Sequence, residues 1–112
     1  MDNEITKIPT RLVVGGHMLE VRRVDSLFDF CLGEVSVVEG EILIADKCGR
    51  DRLQGESSKR VTFFHELVHA ILYVMGEKEL EGNERFVCAF SSLLKSALES
   101  MEYESTDKPK ED

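Results

Sequence analysis

The sequence predicts an α+β fold, in which a small, mostly antiparallel sheet packs against two helices. Two hairpin patterns with glycine at their turns occupy residues 11–45, and two segments with helical spacing of apolar residues occupy 57–101. The chain has 112 residues, 42% of them hydrophobic, which suits one small domain with a thin core. We therefore expect a single domain over residues 1–101, followed by a polar, disordered tail over 102–112.

Two hairpins account for the predicted sheet. In residues 11–24, apolar segments flank Gly15-Gly16, a pair that supplies the positive φ angles of a tight turn. In residues 35–45 the turn falls at Glu39-Gly40, and the second strand is the more apolar. Between the hairpins, residues 25–33 fit either a short helical turn or an irregular loop. Residues 46–56 are predicted to form a polar loop.

The first helix is predicted from Ser57 or Ser58 to Met75. Either serine can act as N-cap, and Gly76 is a natural C-terminal stop. Its apolar residues recur at intervals of three and four, which places them on one face: Val61, Phe64, Val68, Ile71 and Met75.

The second helix is predicted from about Asn83, a good N-cap, to about Met101. Its apolar stripe consists of Phe86, Phe90, Leu93, Leu94, Ala97 and Met101. The connecting residues 76–82 are expected to form a short loop in which Glu77, Glu79 and Glu81 are solvated.

Charge and composition exclude several classes of partner. The chain has 14 Lys and Arg against 22 Asp and Glu, a net charge of −8, and residues 61–112 are the more acidic half. This argues against binding to nucleic-acid phosphates or to anionic membranes, and no apolar run is long enough to span a bilayer. The polar N-terminus and three cysteines without CxxC spacing favour a cytoplasmic protein with reduced thiols. The oligomeric state stays open.

The segment from His65 to His69 contains an HExxH motif. This chain's own composition would produce such a motif by chance about 0.01 times. Histidines four residues apart project from one helix face and can hold one metal ion, as zinc sites require. Glu66 lies beside them, where it can accept a proton from a water bound to the metal. The alternative is two ordinary histidines on an amphipathic helix.

A catalytic zinc needs a third protein ligand. The only other histidine is His17, and Met75 occupies the position of a third histidine in an HExxHxxGxxH motif. We therefore expect a carboxylate from the second helix, and Glu84, 15 residues after His69, is the candidate.

HELVHAIL, followed by a short loop and NERFVCAFSSLL, resembles the glutamate-type zincins, or gluzincins. The resemblance is closest to small metallopeptidases of phages and prophages that are related to ImmA/IrrE-like peptidases. It covers about residues 10–98 and is strongest over 60–94. It implies a zincin-like fold, one Zn²⁺ per chain on His65, His69 and Glu84, and peptide or protein substrates in a bacterial cytoplasm. Glu66 would then be the catalytic base.

Cys88 is a departure from that family. The family places an aspartate four residues after the glutamate ligand, where it orients the first histidine, and a thiol is a weaker acceptor. The alternative function is therefore a zinc-binding protein that interacts with a partner and has weak or no catalysis. An acidic mimic of nucleic acid is a third interpretation, but it leaves the HExxH motif unused.

Three further expectations concern substrate and thiols. By resemblance, residues 41–45 would be the sheet edge that pairs with an extended substrate. Tyr73 and His17 are candidate oxyanion stabilisers, but core packing of Tyr73 and a hairpin surface position of His17 are the favoured explanations. Cys31 is expected in the core and Cys48 in a loop.

Overall fold

A long central helix packs on one side against a four-stranded mixed sheet and on another against a second helix. The computed structural model describes residues 7–104. The elements are β1 (Arg11–Val14), β2 (His17–Val24), β3 (Gly33–Ser36), β4 (Glu41–Ala45), β5 (Lys47–Gly49), β6 (Arg52–Leu53), α1 (Glu56–Met75), α2 (Lys78–Glu81) and α3 (Glu84–Ser100), with a 3₁₀ turn at Phe28–Phe30. The predicted α+β class is confirmed at this level.

The sheet has the order β1-β2-β4-β3. Both predicted hairpins are present and antiparallel, but β2 and β4 pair in parallel, so the sheet is mixed. The placement of residues 41–45 at a sheet edge was wrong, because β4 lies between β2 and β3. The burial of Ile42, Ile44 and Ala45 is typical of a central strand. The edges are β1 and β3.

The segment before α1 is more ordered than predicted. Residues 46–56 include the short antiparallel pair β5 and β6 instead of a loop. Helix α1 begins after Gly55, without a side-chain cap. The Ser58 hydroxyl donates instead to Gln54 Oε1 at 2.7 Å, and the buried Gln54 amide donates to the Ala45 carbonyl at 2.7 Å. The predicted serine cap was therefore wrong, because a buried glutamine binds that hydroxyl.

Helix α1 is buried on two faces. Phe63, Phe64 and Ala70 pack against Leu19, Ile42 and Ile44 of the sheet. Val68 and Leu72 pack with Val87 of α3. The single predicted stripe was therefore incomplete, and two of its members, Val61 and Met75, are exposed. A helix with two packed neighbours needs more than one apolar stripe.

Helix α3 begins as predicted but presents a different face. The Asn83 side chain accepts a hydrogen bond from the Phe86 amide at 3.1 Å, which confirms the N-cap. Val87 and Ser91 are the buried residues of this helix. Phe90, Leu93 and Met101 of the predicted stripe are exposed. The stripe prediction was therefore largely wrong, because the contact with α1 uses a neighbouring, smaller face.

Two turns connect the helices. Gly76 ends α1 in the left-handed conformation, at φ 79°, as predicted. Residues 78–81 then form α2, where a loop was expected. Residues 102–104 have no regular secondary structure, and the rest of the predicted tail, 105–112, lies outside the described residues. No helix within residues 7–104 is both long and apolar enough to cross a membrane.

Gly33 allows strand β3 to lie directly on α1. A Cβ atom at this position would lie 2.5 Å from Thr62 Cγ2, 3.0 Å from the Leu43 carbonyl oxygen and 3.3 Å from Glu66 Cγ. The absence of a side chain therefore brings this edge strand next to Glu66.

We expect Gly33→Ala to lower the free energy of unfolding by about 1–3 kcal/mol, the usual cost of overpacking a filled contact. Gly82→Ala is the control, since its Cβ would meet only ordinary contacts, 3.5 Å or more away, at a helical φ. Urea unfolding of both variants measures the difference. Equal stability of Gly33→Ala and the wild type would contradict the close approach.

Candidate metal centre

His65 and His69 lie on successive turns of α1, between its two packed faces. Their side chains are 22% and 14% exposed, so both are largely enclosed but reachable from one side. The spacing of four residues brings the rings together, and the two Nε2 atoms are 3.2 Å apart.

Glu84 reaches the same point from the first turn of α3. Its Oε2 lies 3.0 Å from His65 Nε2, and its Oε1 lies 2.9 Å from His69 Nε2. The Asn83 cap fixes where α3 begins, and the packing of α3 on α1 sets the distance between the helices. The structure therefore brings the three predicted ligands together.

The other ring nitrogens face separate acceptors. His69 Nδ1 lies 3.3 Å from Glu81 Oε2, and His65 Nδ1 lies 3.8 Å from Cys88 Sγ. These contacts favour a proton on Nδ1 of each ring, which leaves both Nε2 lone pairs directed at Glu84.

The spacing of these three groups suits a metal ion. The two Nε2 atoms are 3.2 Å apart, and each lies about 3 Å from a Glu84 oxygen. Ligands on a tetrahedral ion with bonds of 2.0–2.1 Å are about 3.3 Å from one another, close to the spacing observed. His65, His69 and Glu84 can therefore hold a metal ion.

Glu81 is the site residue that the sequence analysis missed. It was expected to be solvated in a loop, but it ends α2, and its side chain is only 35% exposed against His69. In the sequence it stands among alternating acidic residues, so no local signal separates it from Glu77 and Glu79. The helical turn of α2 directs Glu81 towards the histidines.

Cys88 lies one turn after Glu84, beside His65. Its side chain is exposed, and the thiol is a weak acceptor. The Nδ1 atoms of the two histidines therefore face acceptors of unequal strength, since His69 faces a carboxylate and His65 faces a thiol.

Glu66 is buried next to the triad. It is 9% exposed, and its carboxylate forms no hydrogen bond or ion pair within residues 7–104. Burial raises its pKa from 4.5 to about 7, His69 opposes this, and Glu84, Glu34 and Glu81 add to it. A carboxyl group with this pKa can both accept and release a proton near neutral pH.

A cleft of about 640 Å³ opens onto these residues between β3 and the helices. It is lined by Cys31, Leu32, Gly33, Glu34, Val35, Val61, Thr62, His65, Glu66, His69, Glu81, Glu84 and Cys88. Cys31 is exposed in this cleft, so its predicted core position was wrong, and Cys48 lies in β5 instead of a loop. All three thiols are free.

Neither candidate oxyanion stabiliser lines the cleft. Tyr73 is half exposed and lies one turn beyond His69, about 6 Å further along the helix. His17 follows a hairpin turn that lies beside Val74, about 13 Å along α1 from His65. The structure therefore does not bring either residue to the triad.

The chain was compared with protein-family models, with curated proteins and with solved structures, and none of them matches it.

We expect Glu81→Ala to weaken zinc binding by about 10–100-fold, because loss of an acceptor behind a metal-binding histidine typically has this effect. Cys88→Asp should tighten it, because a carboxylate is a stronger acceptor than a thiol. Competition against a chromogenic chelator measures both affinities. Glu79→Ala, which removes another carboxylate of α2, is the matched control. Unchanged affinity in Glu81→Ala would show that the contact with His69 does not support the metal.

A second expectation concerns stability of the metal-free protein. The folded pKa of Glu66, about 7, lies above its ordinary value of 4.5, so folding favours the protonated form. Stability is therefore lost as pH rises from 4.5 to 7. Glu66→Gln removes this loss, so its stability relative to wild type should improve by on the order of 3 kcal/mol between pH 4.5 and 7.5.

Unfolding in urea with a chelator present, at several pH values, measures this difference. A stability difference that is constant with pH would contradict the burial of an uncompensated carboxylate.

Proposed function

We propose that this chain is a zinc-dependent metallopeptidase of the gluzincin type, similar to those of phages and prophages. One observation carries the proposal: the Nε2 atoms of His65 and His69 and the carboxylate of Glu84 converge beside the buried Glu66 in an open cleft. The His₂Glu donor set is the one found in catalytic zinc sites of peptidases. The resemblance of HELVHAIL and NERFVCAFSSLL to that family supports the same assignment.

In this mechanism His65, His69 and Glu84 would hold the zinc ion. When bound, zinc supplies Lewis acidity, which makes a water molecule more acidic and polarises a carbonyl group. Glu66 accepts the proton of the attacking water and returns it to the leaving amine. Its carboxyl group forms no competing hydrogen bond within residues 7–104, which leaves it available for both transfers.

Strand β3 is the proposed contact for an extended substrate. Among the described residues this edge strand pairs only with β4, and residues 31–35 form one side of the cleft. A peptide can add to such an edge through main-chain hydrogen bonds, with loose selection of side chains. The close contact at Gly33 places this edge beside Glu66.

The alternative is a zinc-binding protein that recruits a partner and has lost hydrolysis. The observation that favours it is the thiol of Cys88, 3.8 Å from His65 Nδ1, where the family has a carboxylate. Glu81 behind His69 weakens this alternative, because one of the two histidines has a carboxylate neighbour. The proposed setting in either case is a bacterial cytoplasm, where the three free thiols stay reduced.

Replacing the base separates the two functions. Glu66→Gln preserves size and shape, so the variant should fold and bind about one zinc per chain, while hydrolysis falls by about 10²–10⁴-fold. His69→Ala should lose the zinc. Elemental analysis gives the zinc content, and mass spectrometry of a random-sequence peptide pool gives hydrolysis.

Glu102→Gln is the matched control, because it makes the same change at an exposed residue outside the cleft. If Glu66→Gln and wild type both contain zinc and hydrolyse the pool equally, the proposed catalysis is wrong. If neither hydrolyses any peptide while zinc is bound, the partner-binding alternative is favoured.

A further inference from the structure

We propose that this cleft selects extended peptides with lysine or arginine side chains, and that Glu34 is a residue that determines this specificity. The inference rests on the proposed function, because it takes a peptide as the molecule that occupies the cleft. It goes beyond that function by naming the chemical class of the peptide.

The lining of the cleft is acidic. It contains the carboxylates of Glu34, Glu66, Glu81 and Glu84, and no lysine or arginine. A divalent cation on the triad would offset two of these four charges. The cleft would therefore remain negative by two charges when its glutamates are ionised.

Glu34 is the carboxylate that a ligand can engage most readily. It lies on β3, is exposed, and forms no hydrogen bond or ion pair within the described residues. It is also close enough to Glu66 to contribute to the raised pKa of that group. Glu84 and Glu81 contact the histidines, whereas Glu34 contacts neither. Gly33 lies against α1, so Glu34, the next residue of the strand, belongs to the opposite face of β3, and it lines both the cleft and a groove on that face.

The opposite side of β3 is acidic as well. A smaller groove of about 190 Å³ there is lined by Glu34, Glu39 and Glu41, together with Val35, Ser36 and Leu43. Glu41 is paired with Arg22, whereas the Glu39 carboxylate has no partner among residues 7–104. Neither the cleft nor this groove is lined by a lysine or an arginine.

An extended peptide on the free edge of β3 would meet both surfaces. Side chains of a strand alternate between the two faces of a sheet, so successive residues would face the cleft and the outer groove in turn. Basic side chains of the peptide would be attracted by the glutamates on either face, whereas acidic side chains would be repelled by them. Charge complementarity of this kind discriminates between partners even when each exposed ion pair is weak.

Binding can be tested without catalysis. The probes are three fluorescent peptide pools of equal length with neutral random backgrounds, which contain two Lys, two Gln or two Glu at varied positions. The protein is the zinc-loaded Glu66→Gln variant, and fluorescence anisotropy gives the affinities. We expect the Lys pool to bind about tenfold more tightly than the Glu pool, and the difference to shrink as salt increases.

Two further variants in the same background locate the effect. Glu34→Gln should reduce the Lys-over-Glu preference by about two- to fivefold, the range for one exposed ion pair, and Glu34→Lys should reduce it further. Glu102→Gln removes one charge away from the cleft and should leave the preference unchanged. It controls for the general attraction of a chain with net charge −8.

Equal binding of the three pools, or no binding of any, would overturn the inference. An equal effect of Glu34→Gln and Glu102→Gln would overturn the role of Glu34. Hydrolysis by the wild type is measured separately on the same pools, so a failure of the proposed function is distinguishable. A preference for the Lys pool without any cleavage would retain the basic specificity and reject the peptidase.

Discussion

The whole arrangement depends on one helix being buried on two faces while a third face stays reachable. The phenylalanines of α1 pack on the sheet, and Val68 and Leu72 pack on α3. His65 and His69 occupy the strip between these two contacts. Neither the sheet nor α3 can cover that strip completely, because Gly33 marks the last strand on one side and α3 begins on the other. The cleft is the remaining gap.

The surroundings of Glu66 combine features that a core normally avoids. Glu66 is nine-tenths buried and forms no hydrogen bond or ion pair within residues 7–104, and three other glutamates raise its pKa further. Burial of a charged group with so few partners lowers the stability of a fold. Departures of this kind from local packing rules are concentrated at functional sites. Glu34 has a part in both proposals, because it contributes to the raised pKa of the proposed base and is the proposed determinant of substrate choice.

Local signals predicted much of this structure. The Gly15-Gly16 and Gly40 turns, the stop at Gly76 and the cap at Asn83 were correct, because each depends on the conformation of a few adjacent residues. The motif likewise identified three side chains that lie together. The parallel pairing of β2 with β4 joins residues about 21 positions apart, and no local pattern specifies it. The error about the edge strand follows from that long-range pairing. Glu81 was missed for a similar reason, because only the folding of α2 against α1 brings it to His69.

Because Glu84 lies at the very start of α3, an ion bound to it would also restrict the motion of the backbone before that helix. An ion held by His65, His69 and Glu84 would act as a cross-link that closes the loop between residues 65 and 84. Helix α2 lies inside this loop, and α3 buries only Val87 and Ser91 fully. Removal of the ion would then lower the local opening free energy of α2 and the first turn of α3 together. The sheet and the face of α1 that packs on it contact α3 only through its later residues Leu94 and Leu98, so this part of the core would be affected less.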